Sequence, residues 1–199
     1  MQTQLVLFDL GGVLASLGRP AEQMQLGIAD DQFWSVWLSS PTVAAFETGG
    51  IGAAEFVERF PGEIGLADTG REFGERFLDW RLQLFPGVLE MLRKLGESHR
   101  IALLSNTNPI HWNMVDPDGD LRPLFDHVFL SYEIGCAKPG NAIFEHVLQA
   151  VPDRPGDIVF LDDTLKNVEA AGSFGINALH TSGPDQISLV LQSAQQVTR

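Results

Sequence analysis

The chain of 199 residues has one cysteine, Cys136, and one tyrosine, Tyr132. A lone thiol excludes an intrachain disulfide, and a reducing compartment, the cytoplasm, is the expected setting. Positive charge is also scarce: 13 Lys and Arg stand against 26 Asp and Glu, a formal charge of −13. Such a surface repels polyphosphate backbones, so nucleic acid is not an expected partner. It repels a free phosphate ester too, and any phosphate site must be made locally positive by a metal ion, a lysine or helix N-termini. No stretch reaches the ~20 continuous apolar residues of a membrane span. The opening MQTQLVLFDL has neither the basic start nor the apolar length of a secretion signal. What is present is a hydrophobic content of 44% and a mean hydropathy of +0.03, the profile of a soluble chain with a core to bury.

Four short apolar runs each end in a polar residue: Leu5–Phe8 before Asp9, Ile101–Leu104 before Ser105, Val128–Leu130 before Ser131, and Ile158–Leu161 before Asp162. Apolar runs without alternation suit strands covered on both faces, as in a parallel sheet. Helical stripes lie between them, at Val88–Leu95, Ala142–Ala150 and Val168–Phe174, the last closed by Gly175. Strand alternating with helix predicts an α/β fold, a Rossmann-like doubly wound parallel sheet. Ligands of such sheets bind at the carboxyl ends of the strands, where Asp9, Ser105 and Asp162 fall. Residues 16–86 break the rhythm, with aromatics at roughly helical spacing and breakers at Pro41, Gly49-Gly50, Pro61-Gly62 and Gly70. They read as a small helical insertion after the first strand, with most of Phe33, Trp34, Trp37, Phe56 and Trp80 forming its own core. The stretch after Gly183 reads as a polar-leaning helix.

Asp9 follows VLF and precedes Leu10-Gly11-Gly12, which makes it an exposed carboxylate on a flexible turn, or a turn-capping aspartate. Asp162-Asp163 repeats the pattern after IVFL. Capping of the following helix needs one acid and leaves the second unexplained, whereas a cation between them relieves their repulsion. Oxygen-only ligands suit a hard ion, Mg²⁺ above all. Ser105-Asn106-Thr107-Asn108 offers hydroxyl, amide and backbone N–H groups at the end of the second strand. Lys138-Pro139-Gly140 places a lysine before a helix, as a surface charge or a phosphate partner.

In this order, LVLFDLGGVL, IALLSNTN, the lysine of GCAKPGNAIFEHVL, and IVFLDDTLKNVEAAGSFGI resemble the four motifs of the haloacid dehalogenase-like (HAD) hydrolases. The resemblance divides the chain into a catalytic core, residues 1–15 and 87–199, and a helical cap of the C1 type, residues 16–86. Its AAFETGGIGAAEF segment is similar to the cap of a branch containing bacterial glucose-1-phosphate phosphatases and the phosphatase domain of soluble epoxide hydrolase. The resemblance implies a Mg²⁺-dependent phosphatase acting on a small phosphorylated metabolite, a sugar phosphate, through an aspartyl-phosphate. It makes Asp9 the nucleophile and a metal ligand, with the Gly11 carbonyl and Asp163 as further ligands and Asp162 binding directly or through water. Ser105 and Asn106 bind the phosphoryl oxygens, Lys138 neutralises charge, and Asn167 supports the metal loop. Nothing in the residues decides between a monomer and a homodimer.

One position departs from the family. Most of its phosphatases carry an aspartate two residues after the nucleophile, to protonate the leaving oxygen and later activate water. Here that position is Gly11. General acid–base catalysis contributes about 10²–10⁴-fold, so turnover should fall as the leaving-group pKa rises unless another acid serves. His111 is the histidine nearest in sequence to these loops and reads as a helix-surface residue. Two further readings use the same residues. One is a 2-haloacid dehalogenase, which the acid pair and the absence of an aromatic residue at position 11 oppose. The other is a catalytically weak phosphate-binding scaffold, which the retained Asp9 and Lys138 oppose.

Overall fold

The computed structural model describes residues 5–187. In chain order its elements are β1 (Leu5–Phe8), β2 (Ala15–Ser16), α1 (Pro20–Gln23), α2 (Asp30–Ser39), α3 (Pro41–Glu47), α4 (Ala53–Glu63) and α5 (Gly70–Phe77). These are followed by β3 (Gln83–Leu84), α6 (Val88–Gly96), β4 (Arg100–Ser105), α7 (Pro109–Val115), β5 (His127–Leu130), α8 (Ser131–Ile134), α9 (Asn141–Ala150), β6 (Ile158–Asp162), α10 (Leu165–Ser173) and β7 (Asn177–His180).

The apolar runs build one five-stranded sheet in the order β5-β4-β1-β6-β7, every pair parallel. Strand β1 lies in the middle, pairing Val6 with Ile101 on one side and with Val159 on the other. It is buried along its whole length, which is why its residues do not alternate in polarity. The pleat sends its side chains to two cores. Val6 and Phe8 join Leu103, Val159 and Leu161 beneath α6, α7 and the inserted helices; Leu5 and Leu7 join Leu104, Phe160 and the Ile143–Phe144–Val147 face of α9. The doubly wound α/β reading therefore stands, and the three anticipated helical stripes are α6, α9 and α10. The fifth strand, β7, has no apolar run because only its inner edge is paired and its residues are partly exposed.

Strands β2 and β3, antiparallel with Ala15 opposite Leu84, join the chain where it leaves the sheet and where it returns. Between them α1–α5 pack around the aromatic residues. Phe33, Phe46, Phe56, Phe60, Phe73, Phe77 and Trp80 are all at most 1% exposed. Their rings meet edge-on or stacked, Phe46 against Phe56 at 4.4 Å and Trp37 against Trp80 at 4.8 Å. The Trp80 indole donates to the carbonyl of Leu17 (2.8 Å), tying this core to the strand exit. Trp34 is half-buried and faces a cleft rather than the interior. No helix among the described residues is long and apolar enough to cross a membrane. The helix expected after Gly183 falls largely outside the described residues.

Candidate active site

The site forms where β1, β4 and β6 end. The backbone N–H of Asp9 still bonds to Leu161 O (2.9 Å), so the sheet register holds the residue one step past the strand. The chain then turns sharply, with Leu14 N and Ala15 N both bonding to Leu10 O and Gly12 N to Ala15 O. Gly12 is required here for two reasons. Its φ of +72° is left-handed, and a Cβ on it would lie 1.9 Å from Asp163 Oδ2. The turn thus brings the Asp9 loop against the acid pair at the end of β6. Carboxylate oxygens of Asp9, Asp162 and Asp163 lie within 4.8 Å of one another.

Lys138 reaches into this trio from the loop before α9. Its ammonium pairs with Asp9 Oδ1 at 2.8 Å and Asp162 Oδ2 at 2.7 Å, and donates to Leu104 O at 3.0 Å. The side chain is buried and lies over the Phe160 ring. Asp162 is fully enclosed and saturated: Thr164 N and the Asn167 amide bond Oδ1, while Asn167 and Lys138 bond Oδ2. Asp163 is half-buried, accepts from the Thr164 hydroxyl at Oδ1, and turns Oδ2 toward Gly12. The two adjacent acids are therefore unequal. One is occupied in holding the lysine, and the other faces the cleft.

Burial pushes the Asp9 carboxyl up to about 7, against the attraction of Lys138 and with the repulsion of Asp162. Burial alone would lower the Lys138 pKa, but Asp9 and Asp162 outweigh it and the pKa is raised. Asp163 is raised as well, by burial and by Asp162. Three acids around one ammonium leave net negative charge in a low-dielectric pocket, a demand for further cation.

The loop after β4 is held from several sides. Asn106 clasps the Lys138 backbone at both ends of its amide, Nδ2 to the carbonyl and Oδ1 from the N–H, each 2.8 Å. Its side chain thus sets the lysine loop in place. Buried Ser131 accepts from Thr107 N and donates to Thr107 O. Asn108 caps α7 through Ile110 N and His111 N. Ser105 lies under the same cleft.

His111 corrects the sequence reading. It is no surface residue but 3% exposed, wedged against Trp80 (centroids 4.4 Å) and Phe77 (4.9 Å). The helical period of α7 turns it toward the inserted helices, and their aromatic core encloses it. Burial lowers its pKa to about 3, so the imidazole is neutral. Because the Asn108 Oδ1 accepts backbone N–H groups, its Nδ2 donates to His111 Nδ1. That leaves the ring proton on Nε2.

A cleft of ≈ 570 Å³ opens above Asp9 between the sheet ends and the inserted helices. Asp9, Gly11, Ser105, Asn106, Lys138 and Asp163 line it, while Asp162 lies enclosed behind them. One group was not foreseen. Glu47, at the end of α3, lines the opposite side, half-buried, with a hydrogen bond from the Trp37 indole. Burial raises its carboxyl to about 7, while Lys138 pulls it down and Asp9 slightly up. The signal in the sequence was an acid inside the apolar run VAAFE, just before Gly49-Gly50.

A carboxylate trio beside a buried lysine lies in the crevice at the carboxyl ends of a parallel sheet, the place where enzymes of the α/β class bind their ligands. The chain belongs to the haloacid dehalogenase-like hydrolases, whose sequence profile matches residues 3–175. It is 27% identical to the D-ribitol-5-phosphate phosphatase of Bacteroides thetaiotaomicron, over 94% of this chain and 98% of that one. It is 28% identical to a sesquiterpene phosphatase of Aspergillus oryzae, over 96% and 95% of the two chains. A crystal structure of a HAD-family enzyme of Bacteroides thetaiotaomicron superposes with a TM-score of 0.78 at 28% identity, covering 96% of this chain and 99% of that one. That enzyme has also been crystallised with magnesium and inorganic phosphate.

Proposed function

We propose that this protein is a Mg²⁺-dependent phosphatase that hydrolyses small phosphorylated metabolites through an aspartyl-phosphate on Asp9. The observation that carries the reading is the buried Lys138 ammonium, within 2.8 Å of Asp9 and 2.7 Å of Asp162, on the floor of an open cleft. The relatives named as phosphatases and the neighbour holding magnesium with phosphate support it. They act on a phosphorylated pentitol in one case and a sesquiterpene in the other by name, and a sugar phosphate is the substrate we propose within that range.

The donor set fits magnesium, being all oxygen, mutually within 4.8 Å and short of positive charge. Asp9, Asp163 and the Gly11 carbonyl would hold the ion, with Asp162 behind them as anchor for Lys138. Once bound, it supplies charge compensation to the phosphoryl oxygens. The protein does the rest. The Ser105–Asn106 loop receives the phosphoryl oxygens, Lys138 neutralises charge between them and the carboxylate, and Asp9 attacks phosphorus. The alcohol leaves on the side away from Asp9, and water then cleaves the aspartyl-phosphate. Residues 16–86 act as the cap, closing over the substrate from above.

The test is Asp9→Asn. We expect phosphate release to fall to background while the thermal transition stays within a few degrees of wild type. Retained turnover in that variant removes the mechanism. The carboxylate trio and the bare Gly11 favour no haloacid reading.

A further inference from the structure

Resting on the phosphatase reading, we infer that Glu47, across the cleft from Asp9, is the general acid and base that Gly11 does not supply. The space beside Gly11 is already filled, since a Cβ there would meet Leu17 Cδ2 at 3.0 Å. The apolar Leu17 side chain stands where a carboxyl at position 11 would begin.

The proton must come from another group at the cleft, and the alternatives are few. Asp9 is the nucleophile, and Lys138 and Asp163 sit with it on the floor. Lys166 is an exposed cation at the rim. His111 also lines the cleft, but its ring is neutral with Nδ1 engaged by Asn108, and an imidazole held near 3 does not take up a proton to pass on at neutral pH. Glu47 remains.

Its position suits the chemistry. Displacement at phosphorus is in line, so the leaving oxygen lies on the far side from Asp9. That is the side formed by the inserted helices, where Glu47 lines the cleft. The groups bearing on its carboxyl are the Trp37 indole, which fixes it, and the charges of Lys138 and Asp9. Burial holds the carboxyl near neutrality, where an acid can both give and recover a proton.

The step balances. As the bond from Asp9 to phosphorus forms, the bond to the leaving oxygen breaks and that oxygen takes the Glu47 proton. The Glu47 carboxylate then takes a proton from the water that attacks the aspartyl-phosphate, which releases phosphate and restores the acid.

The experiment is Glu47→Gln in the full chain with Mg²⁺, assayed on a series of aryl and alkyl phosphates. In the wild type we expect kcat/KM to depend weakly on leaving-group pKa. In the variant it should depend steeply, falling about 10²–10⁴-fold on alkyl phosphates. On p-nitrophenyl phosphate kcat/KM should be nearly kept while kcat falls, with a burst of nitrophenolate as the aspartyl-phosphate accumulates. The limb of the pH profile near neutrality should vanish in the variant, and Glu47→Asp should recover part of the alkyl activity. Equal losses on all substrates, or an unchanged slope, overturn the assignment to Glu47 and leave the Asp9 mechanism standing. Wild-type protein without phosphatase turnover overturns both.

Discussion

Replacing Lys138 with methionine keeps most of the unbranched side chain and removes its charged end. In the folded protein this strands Asp9, Asp162 and Asp163 within 4.8 Å of one another, with no cation among them. The ammonium is almost wholly enclosed, and so is Asp162, so solvent screens little of the loss. Breaking a buried pair from one side typically costs about 3–5 kcal/mol. For a domain of this size each kcal/mol lowers Tm by about 2–4 °C. Lys138→Met should therefore melt about 6–20 °C below wild type in EDTA at pH 7.5. Because the penalty is repulsion among carboxylates, Asp9→Asn added to Lys138→Met should restore part of the loss, a coupling that distant residues do not show. Millimolar Mg²⁺ should also raise Tm, by about 2.7 kcal/mol of stabilisation at a hundredfold excess over its Kd. Calorimetry with and without EDTA measures all three. A variant melting within 2 °C of wild type in EDTA would mean the lysine does not carry the charge balance of this site.

Other perturbations test separate parts of the structure. Gly12→Ala forces a Cβ to 1.9 Å from Asp163 Oδ2 at a φ of +72°. It should displace that carboxylate and raise the Mg²⁺ needed for half-maximal activity about 10–100-fold, and an unchanged titration would refute its role in placing Asp163. Phe60→Ala empties a fully buried position bordered by the Phe33, Trp37, Phe56 and Phe73 rings. It should cost about 3–5 kcal/mol in denaturant titration, and a loss below ~1 kcal/mol would show that the aromatic core collapses around the gap. The metal-free protein should also lose stability as pH rises. Asp9 and Glu47 hold their protons up to about 7 when folded, whereas the unfolded chain releases them near the ordinary carboxyl values of 3.8 and 4.5. Between those limits the native state binds more protons, so stability is greatest below pH ~4 and declines up to pH ~7. Denaturation in EDTA at pH 5 and pH 8 checks this, and equal or greater stability at pH 8 contradicts it.

The sheet was legible in the chain because burial on both faces writes itself as an unbroken apolar run. Leu5–Phe8 and Ile158–Leu161 needed no tertiary knowledge to be recognised as inner strands. Strand β7 escaped because an edge strand with half-exposed residues carries no such mark. The acids at the strand ends were visible for the same reason, since a polar residue closing an apolar run stands at the sheet's carboxyl edge. Their division of labour was not. Asp162 and Asp163 are chemically identical neighbours, and only packing gives one to Lys138 and Asn167 and leaves the other facing the cleft. Likewise, only folding shows that the side-chain amide of Asn106 holds the Lys138 backbone in place.

His111 and Glu47 mark the boundary between the two kinds of information. Sequence gives the distance of His111 from the loops along the chain, but the rotation of α7 against an aromatic core decides that it is buried and neutral. Glu47 lies 38 positions after Asp9 in the numbering, and nothing local relates them. Composition and periodicity settle which residues go inside and which end a strand, because those depend on short-range chemistry. Which carboxyl faces which across a cleft depends on how two packed layers meet, and that was decided only by the tertiary fold.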